Sequence, residues 1–231
     1  MALLLFAQSA QPAISFKAAS SAAASNAGIS YRSTGALASA NSGNLTARLP
    51  AAALGEMFLC QVSSRDNVAH GMPAGWTQAY SLSSSATLRA SLFYKISAAT
   101  ETNPVITHPG GGRIVSRCTR FRGVDPSNPL DVAFAAQYAA SSATVGSGSL
   151  STLSSNDLLL FAAHLPANPN APNSLGTPAG WTRPYYSRST QNAIGLHYRA
   201  QAAPALVGPI SAIASAPAEN VGVLLALRAA A

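Results

Sequence analysis

Pro73-Ala74-Gly75-Trp76-Thr77 and Pro178-Ala179-Gly180-Trp181-Thr182 are the same five residues in the same order, and they hold the only two tryptophans of the 231-residue chain. Their flanks repeat as well. Upstream, Glu56-Met57-Phe58-Leu59-Cys60 answers to Asp157-Leu158-Leu159-Leu160-Phe161. Downstream, Leu92-Phe93-Tyr94-Lys95 answers to Leu196-His197-Tyr198-Arg199. The apolar run that closes at Arg122 answers to the one that closes at Arg228, and Ile29-Ser30-Tyr31 to Val132-Ala133-Phe134. The small differences in offset between these pairs are of the size that loop insertions produce. The chain is therefore an internal duplication, which sets the number of structural units before any other feature is read.

Within the repeated word, proline ends an incoming loop with a fixed φ, and glycine supplies a turn conformation that a Cβ hinders. Tryptophan then opens the next strand, with enough bulk to anchor the inner face of a sheet. Trp76, Trp181, Gly75 and Gly180 are thus expected as structural anchors. The competing reading is a pair of exposed rings that stack on sugars.

Around these words the pattern is β throughout: short alternating runs bounded by Gly, Pro, Asn and Ser. In the first copy, strands are expected near 29–34, 44–49, 56–64, 76–82, 87–97, 104–107 and 113–122. Leu88, Ala90, Leu92, Tyr94 and Ile96 share one face of the fifth run, with Arg89, Phe93 and Lys95 on the other. Pro109-Gly110-Gly111-Gly112 reads as a loop. Four segments follow: an N-terminal arm (1–28), a first β repeat (29–123), a joint (124–131) that holds Pro126 and Pro129, and a second β repeat (132–231). The joint is short and keeps Val124 and Leu130. An all-β, jelly-roll-like or lectin-like sandwich built from both repeats as one domain is therefore favoured over two immunoglobulin-like sandwiches in tandem.

Apolar residues make up 48% of the chain and charged ones 9%, against roughly 25% charged in an ordinary globular domain. The formal net charge of +7 comes from 14 basic and 7 acidic residues. Arg113, Arg117, Arg120 and Arg122 fall on one expected strand and its approach, a basic contact patch too sparse to indicate nucleic acid. Cys60 matches Phe161 and Cys118 matches Leu224, both hydrocarbon positions, so buried free thiols are expected. No apolar run approaches the ~20 residues of a membrane span.

Met1 to Phe6 is a short apolar run with no preceding Lys or Arg, followed by Ala7-Gln8-Ser9-Ala10. It is read as a retained arm rather than a signal peptide. Leu3, Leu4, Leu5, Phe6, Ile14 and Phe16 are its sizeable apolar groups, available to pack on a partner.

Nothing in the pattern indicates catalysis. No Gly-x-Ser-x-Gly elbow is present, and His70, His108, His164 and His197 lack metal-ligand spacing. Glu56 and Asp157 are repeat equivalents at strand starts, and no second acid is placed by sequence to work with either. No catalytic residue, metal or cofactor is expected.

The combined motifs resemble a family of bacteriophage and prophage virion structural proteins. The resemblance rests on Gly55-Glu56-Met57-Phe58-Leu59, the Pro-x-Gly-Trp-Thr words, Phe93-Tyr94-Lys95, Phe121-Arg122-Gly123-Val124-Asp125 and Ala226-Leu227-Arg228, in that order. It implies an all-β sandwich in a virion and supplies no catalytic residues; the arm and the loop at 166–173 depart from it. The expected function is a capsid decoration (cement) protein on the outside of a phage head, its partners the major capsid protein and other copies of itself. The alternative is a tail-associated module that binds a host-surface glycan through the loops at 65–72 and 166–177.

Overall fold

The structure is a computed structural model that describes residues 28–231 apart from 52, 85, 86, 99 and 168–173. The expectations placed on Leu3, Leu4, Leu5, Phe6, Ile14 and Phe16, and on 168–173, lie outside the described residues. The first repeat forms β1 (Ser30–Thr34), β2 (Ala38–Ala40), β3 (Leu45–Thr46), β4 (Met57–Ser64), β5 (Thr77–Ser83), β6 (Arg89–Ile96), β7 (Val105–Ile106) and β8 (Ile114–Arg122). The second forms β9 (Ala135–Gly146), β10 (Leu150–Ser151), β11 (Asp157–Pro166), β12 (Thr182–Arg188), β13 (Asn192–Gln201), β14 (Leu206–Val207) and β15 (Ser211–Leu227). The chain is all-β, and every strand pair is antiparallel.

Each repeat builds one main sheet. The first has the order β1-β8-β4-β6-β5, with β2 also on β8; the second has β9-β15-β11-β13-β12 when read in the same direction. The register carries the duplication residue by residue. Cys60 lies opposite both Cys118 and Phe93, and Phe161 lies opposite both Leu224 and His197. One equivalence moves. Ala135 faces Leu224, whereas Gly35 donates its amide to the carbonyl of Cys118, the counterpart of Leu224. Phe134 thus matches Thr34 rather than Tyr31, because the chain enters the second sheet through the proline joint.

The two main sheets pack face to face over a shared core drawn from both repeats. Met57, Leu59, Leu92 and Phe121 come from the first, and Leu158, Leu160, Leu196 and Leu225 from the second. The outer face of each sheet has a core of its own. The β3–β7 ribbon belongs to the one formed by Phe58, Cys60, Val62, Phe93 and Ile106. The β10–β14 ribbon belongs to the one formed by Leu159, Phe161, Leu150 and Val207. Burial on both faces explains why β4 is buried at all eight positions and why its sequence, like that of β11, is a nearly continuous apolar run rather than an alternation. The sandwich does use both repeats, as expected. Each repeat keeps all its main strands in one sheet, with β5–β6 and β12–β13 as the pairs consecutive in the chain and the other neighbours joined by longer connections.

Gly75 and Gly180 sit at φ +75° and +77°, and the amides of Trp76 and Trp181 each donate to the carbonyl three residues back, on Pro73 and Pro178, at 3.1 Å. This is the turn in which glycine is needed for its φ: a Cβ at either position would meet nothing within 4 Å. Both tryptophans are buried, at 6% and 8% exposure. They lie in the outer cores and not on the inner face that the sequence suggested. Period-two alternation separates the faces of a strand but does not say which face meets the other repeat.

Candidate docking surface

Along β8, alternate side chains point to opposite faces, and this divides the four arginines read as one basic patch. Arg117 turns inward. Its guanidinium lies 5.0 Å from the Tyr185 ring centre, donates to the carbonyl of Gly35 at 3.0 Å and meets Ser187 of the second sheet. Arg113 reaches across to Thr190. Both therefore tie the two sheets together. Arg120 and Arg122 instead point outward and line one groove together with Arg32, a residue the sequence reading did not single out.

That groove has a volume of about 570 Å³ and is walled by Leu54, Val124 and Pro126 beside the arginines. Glu56 is its one acid. Its carboxylate lies 2.9 Å from Arg120 Nε and 3.9 Å from Arg32 Nε, while Arg122 is exposed and meets no partner among the described residues. Three guanidiniums against one carboxylate leave a local excess of +2.

The matching position in the second repeat is chemically different. Asp157 replaces Glu56, and Ala226 stands where Arg120 does. The nearby cation, Arg228, is bound to Asp131 at 3.2 Å, and Asp131 also accepts from the Ser154 hydroxyl at 2.6 Å. Burial, and then the negative charge of Asp131, push the Asp157 carboxyl up to about 7. The structure thus pairs two acids that the sequence left apart, next to a small cavity of about 170 Å³ walled by Ile29, Asn156 and Ala200.

Two of the four histidines also come together. His70 bonds Ser91 through Nδ1 and Ser64 through Nε2, each at 2.9 Å. The Ser64 hydroxyl donates to Asp66 at 3.0 Å, and Asp66 holds His108 Nε2 at 3.1 Å and the Gly112 amide at 2.9 Å. Burial, followed by the electrostatic influence of His108 and Arg89, pushes the His70 imidazole down to about 3, so it is neutral. Ser64, Ser91 and His108 are fully buried and His70 nearly so. The chain of groups is buried except at Asp66, which is half-buried and pins the Gly110–Gly112 loop through the Gly112 amide. Among the described residues, no group of three or more His, Cys, Asp or Glu is placed to hold a metal ion.

The loop at 65–72 leads to a second groove, about 380 Å³, lined by Met72, Pro73, Trp76, Lys95, Asn103 and Thr107. Trp76 shows only an edge to it, because the ring stacks on Phe58 at 6.3 Å. In the second repeat Arg199 lies over the Trp181 ring at 5.2 Å and covers the corresponding surface.

The last feature is an edge. β9 closes the second sheet, and none of its twelve residues, Ala135–Gly146, is charged. Half of them are exposed, Tyr138 to 68%. Of the other outer strands, β1 is short and carries Arg32 beside a bulge, β12 carries Arg183, Pro184 and Arg188, and β5 is seven residues long with a bulge of its own. Charge, proline and bulges protect sheet edges from pairing; β9 has register shifts of its own against β15 near Ala139–Ser142, but the longest stretch without charge or proline. The uncharged run was visible in the sequence; its edge position was not. The fold and these surfaces define an all-β protein of stacked antiparallel sheets. No family model matches this chain, and neither a curated protein nor a solved structure matches it.

Proposed function

We propose that the chain is a structural protein of a bacteriophage virion, a decoration protein on the outside of the head that acts by assembly and not by catalysis. The observation that supports this most is the outer edge of β9. The outward-facing half of the main-chain donors and acceptors along this uncharged strand pairs with no other strand among the described residues. Such an edge is a template for strand addition. On a protein of net charge +7, it is also a surface where a second copy can approach without meeting like charge. A second copy, paired β9 to β9 about a two-fold axis, is the occupant proposed here.

The resemblance of the ordered motifs to those of phage structural proteins is the support for the virion setting. The arm at 1–28 enters the proposal only through the expectation that its apolar groups meet a capsid partner. Quantitative mass spectrometry of purified virions tests the reading. Hundreds of copies, in fixed ratio to the major capsid protein, are the expected result. A few to a few tens of copies would move the protein to the tail, and its absence would overturn the proposal.

The groove beside Trp76 favours a second reading, a glycan-binding tail module. That reading predicts quenching or enhancement of Trp76 fluorescence by host-surface glycans, abolished in Asn103→Ala. The proposal above predicts neither.

A further inference from the structure

We infer that the arginine groove of the first repeat is a carboxylate-binding site that takes an acidic segment of a partner protein. Charge balance comes first. Glu56 lies between Arg120 and Arg32, and Arg122 remains exposed with its planar fork of donors unmatched. A guanidinium fork fits a carboxylate through two parallel hydrogen bonds. Glu56 is itself a carboxylate between two of these arginines, 2.9 Å from Arg120 Nε and 3.9 Å from Arg32 Nε, so the groove already holds one internal carboxylate by charge, without the two-bond fork that Arg122 can offer.

The walls narrow the class of ligand. Leu54, at 75% exposure, stands at the rim on the turn made by Gly55 at φ +79°, and Val124 and Pro126 form the far side. An apolar rim beside a charged fork suits a peptide in which acidic and apolar side chains alternate. A nucleic acid would need a track of phosphate contacts, and this surface offers one free cation beside two already engaged.

The duplication provides an internal contrast. At the matching end of the second repeat Ala226 replaces Arg120, and Arg228 is already bound to Asp131. Of these two matching ends, among the described residues, the first alone keeps an unpaired guanidinium, so one such site per chain is expected. The inference rests on the docking reading above only in taking the ligand to be a protein segment.

The test uses the full chain and the acetylated, amidated tetrapeptide Glu-Leu-Glu-Leu, followed by NMR of the arginine side-chain Nε–Hε signals. The expected result is selective movement of the Arg122 signal, then Arg32. Arg122→Gln should weaken binding by about tenfold or more, the usual loss when a charged hydrogen bond is removed. Arg122 is exposed and unpartnered, so its thermal midpoint should match the parent. The Gln-Leu-Gln-Leu peptide, inorganic phosphate and a short single-stranded oligonucleotide serve as rivals. Equal binding of the Gln-Leu peptide would overturn the site as a carboxylate receptor, and tighter binding of phosphate or oligonucleotide would overturn it in favour of phosphate. No movement at millimolar acidic peptide would also overturn it. Either failure leaves the virion measurement untouched, and absence from virions leaves a positive peptide result standing.

Discussion

Removing the hydroxyl of Tyr185 tests how the two sheets are locked. Gln61 projects from β4 into the shared core, where its counterpart in the second repeat is Ala162, and it is fully buried. Its Oε1 accepts from the Tyr185 hydroxyl at 2.7 Å, and its Nε2 donates to the carbonyls of Ala163 at 2.9 Å and Gly195 at 3.3 Å. The Tyr80 hydroxyl lies 2.8 Å from His164 Nε2, which is itself 3.3 Å from the Gln61 amide. Tyr185→Phe keeps the ring, its packing and the Arg117 stack, but leaves Gln61 Oε1 without a donor in a core that excludes water. A buried polar atom orphaned in this way costs about 1–3 kcal/mol. For a chain of this size that lowers the melting temperature by roughly 2–12 °C. Denaturant unfolding followed by tryptophan fluorescence and far-UV circular dichroism measures it. In a Gln61→Leu background the same change should cost less than about 0.5 kcal/mol or stabilise, since the hydroxyl is then the orphan. Equal losses in both backgrounds would refute the bond as an inter-sheet lock.

Trp76→Ala should destabilise by about 3–5 kcal/mol, read from denaturant unfolding. Loss below 1 kcal/mol would mean that the outer core of the first repeat does not need the ring. Cys60 and Cys118 face each other across β4 and β8 as buried free thiols, and burial, then Cys60, raises the Cys118 thiol well above its usual value. Neither should react with an alkylating reagent in the native protein, and both should react after unfolding. Burial pushes His70 and His164 down to about 3 and His197 to about 4. The unfolded chain therefore takes up these protons first, and stability should fall as pH drops below about 6.5. Asp157 has the opposite sign: its contribution is full below 3.8 and lost as pH rises through about 7. Between 3.8 and about 7 the two effects oppose each other, so Asp157→Asn should steepen the loss of stability on acidification and leave the pH dependence above about 7 unchanged. Ser141→Pro, between the Ala139 and Ser142 pairings of β9 with β15, should convert a dimer in light scattering to a monomer; a monomeric parent protein would refute β9 pairing.

The strands were legible in the sequence because each is a run of residues that pack on a pleated surface, punctuated by turn formers. The seven expected in the first repeat each overlap an observed strand, and only the three-residue β2 was missed. The duplication was legible for the same reason, since identical turns and apolar runs must fold alike. What the sequence withheld was every fact that depends on which face meets which. Trp76 and Trp181 were expected on an inner face and lie in outer cores. Arg113, Arg117, Arg120 and Arg122 look like one patch in the chain, yet a strand sends neighbours to opposite sides, and two of the four became inter-sheet ties. His70 and His108 are far apart in sequence and meet only because the ends of β4 and β8 are adjacent.

Glu56 and Asp157 carry this furthest. They occupy equivalent strand starts, and sequence alone assigned them one role. Their difference lies in a third residue: across the sheet Arg120 supplies a cation to Glu56, and Ala226 supplies none to Asp157. One acid is therefore held beside a cation at the floor of an arginine groove. The other is driven up to about 7 beside Asp131, whose own carboxyl is held low by the amide of Leu153, Ser154 and Arg228 against the effect of its burial. A duplicated fold conserves the position of a side chain, but its charge is set by whichever neighbour the partner strand brings. That is why the two ends of this sandwich, alike in backbone, differ in what they can bind.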